Sequence, residues 1–306
     1  MTNSYWKKRE QDHIAKQLKN DAAIAKRIRQ KYMDAMEEIQ TQIEAFYGRY
    51  SENEGISMSE ARKRVGKLDI DKYSKKAKRY VKQKKFTKRA NEEMRLYNAT
   101  MKINRLQLLR LNIELELMAA VSDEERILLQ ELTKQARSEY QRQAGILGES
   151  LNYNEMSIAT IVNASFLSAT WSDRLWSNQA ALRAELDKLL NRGIVQGKNP
   201  RELARDLRKT FNTSVYNSER LLRTEMARVQ QDVFQDSMKQ ADIERYEYIA
   251  EPTACDVCSA LDGKIFKLSD AEPGVNAFPM HPNCRCSQAA YVDREAWDAE
   301  LRARGL

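Results

Sequence analysis

Cys255-Asp-Val-Cys258 is followed, across a loop carrying Gly263 and Gly274, by His281-Pro-Asn-Cys284-Arg-Cys286, so the last quarter of the 306-residue chain holds all 4 cysteines and one of the 2 histidines. Two cysteines three apart on a turn present both sulfurs to one ion, and a His/Cys group from a later loop completes a tetrahedral site of mixed sulfur and nitrogen donors. The spacing predicts a small metal-stapled module over residues 244–306, with Cys255, Cys258, His281, Cys284 and Cys286 as candidate ligands of a structural Zn²⁺. Five candidates exceed the four that a closed site takes. Which of His281, Cys284 and Cys286 stands aside is open, because an HxxC pair chelates across a turn as a CxxC does, while Cys284 and Cys286 at i and i+2 of an extended segment point the same way.

Bland explanations of the cysteines fit less well. Packing thiols do not account for a CxxC facing an HxxCxC. No apolar leader follows Met1, so the thiols are expected to stay reduced rather than to pair. A redox CxxC belongs at a helix start within a βαβ unit, whereas this pair reads as lying between a strand and a loop. No second histidine and no general base stand beside the site, which favours a structural over a catalytic metal.

Around the cysteines only short strand signals occur, Arg245-Tyr-Glu-Tyr-Ile249, Lys264-Ile-Phe266 and Gln288-Ala-Ala-Tyr-Val292, separated by Glu251-Pro252, Asp262-Gly263 and Pro273-Gly274. So few strands bury little apolar surface. A structural zinc contributes on the order of 10 kcal/mol of apparent binding free energy, enough to fold a module that its own core could not hold.

The remainder is written for helix. With 31% charged residues, 42% hydrophobic residues, 10 glycines and 5 prolines, the chain lacks the turn formers of a strand-rich protein, and no run approaches the ~18 apolar residues of a membrane span. The expected class is mainly α, long amphipathic helices followed by a small α+β zinc-stapled C-terminal module. Ile14, Leu18, Ala25, Ile28, Tyr32, Ala35, Ile39, Ile43 and Phe46 form one helical stripe, and Leu96, Met101, Leu108, Leu111, Leu115 and Met118 another over residues 90–119. Ser122-Asp-Glu-Glu125 reads as a capping box opening a further helix that runs to Gly145. Residues 1–145 therefore form a helical arm or bundle, with His13 expected as a lone surface histidine.

From 149 to 243 the pattern is again helical. Asn199, Pro200 and Glu202 read as the start of a helix ending near Phe211, and Ser214 to Ala241 as the next. Within it Arg223-Thr224-Glu225 is a polar cluster, with Arg223 and Glu225 read as a clamp between this helix and the zinc module.

Net charge is +8, and the excess is concentrated. Lys75, Lys76, Lys78, Arg79, Lys82, Lys84, Lys85, Lys88 and Arg89, with Tyr73, Tyr80 and Phe86 interleaved, suit contacts to the phosphates and bases of a nucleic acid.

Trp171, the turn Gly193 to Gly197, Leu222-Arg-Thr-Glu225, Tyr246-Glu-Tyr248, Cys255-Asp-Val-Cys258-Ser-Ala-Leu261-Asp-Gly263-Lys-Ile-Phe266 and His281-Pro-Asn-Cys-Arg-Cys286, in this order over roughly residues 150–292, resemble the minor head (head-morphogenesis, minor capsid) protein family of tailed bacteriophages. Glu251-Pro-Thr departs from the aspartate-containing segment that relatives often carry there. The resemblance implies that 149–243 is the helical core of a minor-head domain. It further implies a non-enzymatic, low-copy structural component of the phage head interior, made in the host bacterial cytoplasm. The partners it implies are the portal protein and capsid or scaffold proteins; the charge pattern separately adds DNA, contacted through the basic arm. From another functional class, the alternative is a zinc-stapled DNA-binding or DNA-processing protein such as a nuclease, which would need a carboxylate cluster or second histidine around a catalytic Mg²⁺.

Overall fold

The computed structural model describes residues 3–51, 75, 78, 79, 82, 87, 105–192 and 200–292. Its elements are α1 (Asn3–Ser51), α2 (Arg105–Leu147), α3 (Glu155–Val162), α4 (Trp171–Leu190), α5 (Pro200–Gln240), β1 (Arg245–Ile249), the one-turn helix α6 (Asp256–Ser259), β2 (Ile265–Lys267), a 3₁₀ turn at Leu268–Asp270, and β3 (Ser287–Ala290). The class is the expected one, mainly helical with a small sheet at the carboxyl end. Two compact units are present, one drawn from Met1–Ala23, Leu129–Trp171 and Arg220–Leu306, the other from Ile24–Leu128 and Ser172–Glu219.

Two helix boundaries differ from the expectation. Ser122 does not open a helix, because α2 runs unbroken from Arg105 to Leu147; no glycine or proline interrupts it before Gly145, and its capping-type side chains have partners off the helix. The Ser122 hydroxyl accepts from the Thr87 N–H at 2.6 Å, while Glu125 accepts from the Ser172 hydroxyl at 3.0 Å and the Trp176 indole N–H at 3.1 Å. Likewise α5 is one helix through Phe211 and Ser214. The Thr213 and Ser214 hydroxyls donate to the Lys209 and Thr210 carbonyls at 3.2 and 3.3 Å, a bond within the helix that lets polar residues sit in its interior. Pro200 opens α5 as expected, where its missing N–H has no helical partner to lose.

The second unit packs α1 from Ile24 on, α2 to Leu128, α4, and α5 to Glu219. The predicted α1 stripe is its seam: Ile28, Tyr32, Ala35, Ile39 and Ile43 are buried, together with Leu115, Leu117, Val121, Leu175, Leu182, Leu186, Leu207, Phe211 and Val215. Tyr32 meets Phe211 edge-on at 6.4 Å. At this seam Glu124 is fully buried: Tyr32 and Ser218 donate to its Oε2 at 2.7 and 3.1 Å, and among the described residues it has no ion-pair partner and its Oε1 no hydrogen-bond partner. Burial pushes its carboxyl up to about 7, against the opposing pull of the two hydroxyls.

The first unit holds the sheet, in the order β2-β1-β3 with both pairs antiparallel. On one face of β1, Tyr246 packs with Phe234 and Met238 of α5, and Tyr248 with Ala227; on the other, Ile249 packs with Ile14 of α1. Strands of 5, 3 and 4 residues are thus covered by helices from both ends of the chain. His13 is not a lone surface histidine. Its ring is half-buried beside Gln17 and Glu139, 3.4 and 3.6 Å away, and desolvation, helped by the charge of Arg142, pulls it down to about 4, so it stands neutral. Arg142 bonds Glu10 of α1 at 2.5 Å and Glu139 at 2.7 Å, and Glu10 accepts from the Ser287 hydroxyl of β3 at 2.8 Å.

A raised carboxyl favours folding while protonated. Stability from Glu124 is full below its unfolded pKa of ~4.5 and lost as pH rises through about 7. From about pH 5 to about pH 8, urea unfolding is expected to show a loss of up to roughly 3 kcal/mol that Glu124→Gln removes. Parallel pH profiles of the two proteins would show that the carboxyl is not the titrating group.

Candidate metal centre

Cys255 and Cys258 come together because β1 ends at Ile249 and the chain turns through Glu251-Pro252 into α6. The Ser259 and Ala260 N–H groups donate to the Cys255 and Asp256 carbonyls at 2.8 and 3.0 Å, closing a single helical turn. Cys255 is the residue before this turn and Cys258 lies within it, so the pair sits at the start of a short helix rather than between a strand and a loop. Below it Gly263 adopts φ +76°, and its N–H donates to the Tyr248 carbonyl at 2.8 Å, leading the chain into β2. A left-handed φ of this kind suits glycine.

The second ligand group lies on the loop entering β3. The Cys284 N–H bonds back to the His281 carbonyl at 3.1 Å, and Asn283 takes the left-handed φ of +71° that asparagine tolerates. The His281 ring is oriented by its own loop: Nδ1 donates to the Pro282 carbonyl at 2.9 Å, leaving the Nε2 lone pair toward the sulfurs. Nε2 lies 3.2 Å from Cys255 Sγ and 3.4 Å from Cys258 Sγ, and Cys258 Sγ is 3.9 Å from Cys284 Sγ. A tetrahedron with Zn–S of ~2.3 Å and Zn–N of ~2.0 Å has edges of about 3.5 to 3.8 Å, close to all three separations. Cys258 belongs to two groupings, one with Cys255 and His281 and one with Cys284 and Cys286. The five residues singled out by sequence therefore form two adjoining groups of three that share Cys258, and such a cluster could hold a metal ion.

The four thiols are shifted in opposite directions, as in a cluster that shares protons. The Cys284 thiol is pulled down to about 2, chiefly by its hydrogen bond from Cys258, and Cys255 is lowered chiefly by the Cys258 backbone N–H, while Cys258 and Cys286 are pushed up, chiefly by their hydrogen bonds to Cys284. Cys258, Cys284 and Cys286 are buried in an apolar cluster with Tyr248, Phe278 and Ala227, whereas Cys255 and His281 are exposed. The Tyr248 hydroxyl is buried against the Cys286 and Cys258 sulfurs, which are its hydrogen-bonding neighbours, and no nitrogen or oxygen among the described residues partners it. A metal-bound thiolate is a stronger acceptor for such a donor than a thiol.

Arg223, Thr224 and Glu225 divide their roles. Arg223 is half-buried, and its charge opposes the rise that burial imposes on Glu251, the acid next to the cysteine loop. Thr224 makes the direct link: its hydroxyl accepts from the Asn283 N–H at 3.1 Å and donates to the Arg220 carbonyl at 2.7 Å. Glu225 is fully buried and holds Arg228 of its own helix at 2.6 Å; Arg228 donates to the Ile161 and Val162 carbonyls that end α3, at 2.9 and 3.0 Å. Sequence reasoning did not single out the strongest tie. Arg285, between two candidate ligands, is buried and places Nε and Nη2 on the two oxygens of Asp21 in α1 at 2.7 Å each, with Gln230 Oε1 at 3.3 Å from Nη1. Nothing in the local pattern marks a partner 264 residues away.

Of the nine basic positions expected to meet nucleic acid, Lys75, Lys78, Arg79 and Lys82 are helical and exposed. Lys76, Lys84, Lys85, Lys88 and Arg89 lie outside the described residues.

Residues 184–289 match the family model of Phage Mu protein F like protein. The resemblance read from sequence holds over this stretch, which is narrower than residues 150–292. The Phage Mu F-like segment runs from the last turns of α4 through α5 to β3, so every candidate metal ligand, Thr224, Arg228 and Arg285 lie inside it, while Asp21 lies outside. No curated protein and no solved structure matches the chain.

Removing one member of a buried ion pair strands the other charge, at a cost of roughly 3–5 kcal/mol. Asp21→Ala is expected to lower unfolding stability by about that amount, and Asp21→Leu combined with Arg285→Met to restore much of it. Equal losses in the single and double variants would count against the pairing.

Proposed function

We propose that this chain is a head-morphogenesis protein of a tailed bacteriophage, a minor capsid component without catalytic activity that resides in the head interior and is made in the host cytoplasm. The observation that carries this reading is that the Phage Mu F-like match coincides with the metal-site residues and with the part of α5 that Thr224 ties to them. Among the described residues no helix is long and apolar enough to cross a membrane. Portal, capsid or scaffold proteins are its partners, and the basic segment around Lys75, Lys78, Arg79 and Lys82 contacts DNA through phosphates.

The metal in this proposal is Zn²⁺, held by Cys255, Cys258, His281 and Cys284. Three thiolates and an imidazole suit this ion, and four protein ligands close its shell, so it supplies cross-linking rather than an activated water. Cys286 and the Tyr248 hydroxyl stand beside the ligands and orient their sulfurs.

Mass spectrometry of protein purified under reducing conditions should find one zinc per chain. Cys255→Ser and Cys284→Ser should lose both the metal and incorporation into phage particles, whereas Cys286→Ser should keep the metal. A metal-free wild type would remove the zinc claim, and metal-free variants that still enter particles would remove its docking role. In the cobalt-substituted protein, Tyr248→Phe should shift the thiolate charge-transfer band and weaken the metal by roughly 10-fold or more; an unmoved spectrum and affinity would show that the hydroxyl does not touch the ligands.

A further inference from the structure

The first turns of α5 carry a surface that neither the metal site nor the basic segment accounts for. Arg205, Arg208, Lys209, Asn212, Thr213 and Tyr216 line a shallow open depression on this helix. All six side chains carry a hydrogen-bond donor, and none is a carboxylate or a hydrocarbon. At 100° per residue Arg205, Lys209, Asn212 and Tyr216 stack along one face, flanked by Arg208 and Thr213. Arg205 exposes 75% of its side chain and Tyr216 55% of its surface, and Arg208 and Lys209 are likewise exposed.

Acidic neighbours offset this face only in part: Glu185 and Asp206 line an adjoining groove together with Lys209. Asp206 lies 4.0 Å from Arg205 but is itself only 31% exposed, and Glu202 is the exposed acid of the preceding turn. Arg208 and Lys209 have no ion-pair partner among the described residues. Leu203, Leu207, Phe211 and Val215 bury the opposite face of the helix, so folding leaves the cations pointing outward in fixed order.

We propose that this face of α5 is a docking surface for the phosphate backbone of duplex DNA, separate from the basic segment at residues 75–89. From residue 205 to residue 216 a helix rises ~16 Å, which spans about five successive phosphates of one strand at ~3.4 Å of axial rise each. Arginine and lysine meet the phosphate oxygens, and the amide, hydroxyl and phenol add uncharged donors of the kind that fix a protein's register on a backbone without reading sequence. The anion chemistry rests on the helix face alone; the choice of DNA as occupant rests on the head-protein reading and on the net charge of +8.

The test is fluorescence anisotropy of the full-length protein with a labelled duplex of arbitrary sequence, from about 50 to about 200 mM salt. Each phosphate contact contributes ~0.9 to the slope of log K against log salt. A variant combining Arg205→Gln, Arg208→Gln and Lys209→Gln should bind more weakly, with a slope reduced by about 2.7. A matched variant of the other segment, Lys75→Gln with Lys78→Gln and Lys82→Gln, should reduce the slope independently. Lys209→Glu alone, expected to reduce it by about 1, reads the same face if the triple variant loses helicity. Absence of DNA binding by the wild type, or an unchanged slope in variants with native circular dichroism, overturns the proposal. So does displacement of the duplex by polyglutamate at equal charge, which would assign the face to an acidic protein. Because the assay needs no particle, a positive result with failed particle incorporation would refute the head-protein reading and leave the DNA surface standing.

Discussion

Arg285 sets the terms for the unit that holds the metal centre. A guanidinium that is 2% exposed is tolerable only with its donors satisfied, and here Nε and Nη2 are committed to Asp21 of α1 and Nη1 to Gln230 of α5. Since Arg285 stands between Cys284 and Cys286, the ligand loop has its proper shape only with both helices in place. The Ser287 hydroxyl on Glu10 repeats the tie two residues later. The sheet at the centre is too small to fold on its own strands, and its two faces are completed by Ile14 on one side and by Phe234 and Met238 on the other.

The metal centre then combines two kinds of constraint. Local turns bring Cys255 to Cys258 and His281 to Cys284, and each is built from backbone hydrogen bonds within a few residues. The meeting of the two turns depends on tertiary packing of Tyr248, Phe278 and Ala227 under the sulfurs. A bound ion would link the turns directly, as expected where a small apolar cluster alone carries the junction. Thr224 adds a backbone-to-hydroxyl tie from the loop to α5, the helix whose earlier turns carry the outward-facing cations.

Buried polar groups recur along the long helices, and they explain where sequence patterns misled. Ser122 and Glu125 have the spacing of a capping box, yet the first accepts from Thr87 and the second from Ser172 and Trp176, so both serve packing in mid-helix. His13 has few apolar neighbours in sequence, and three-dimensional packing half-buries it beside Glu139. The Arg-Thr-Glu cluster was legible as important but not in its division of labour. Glu225 turned inward to Arg228 and the end of α3, and the uncharged residue between the two candidates became the link to the ligand loop.

What the sequence determined by itself is local: the helical stripes of α1, the three short strands, the turn at Gly263, and the identity of five metal-site candidates. These follow from periods of 3.6 and 2 and from the two- and three-residue reach of chelating turns, which a chain states within a dozen residues. Only the tertiary structure decided that α2 and α5 run unbroken, that Glu124 sits buried in an apolar seam with two hydroxyls as its partners, and that Asp21 finds Arg285. Those outcomes depend on which faces meet after burial. A carboxylate reads the same in sequence whether it ends in water, beside a hydroxyl, or across from a guanidinium 264 residues away.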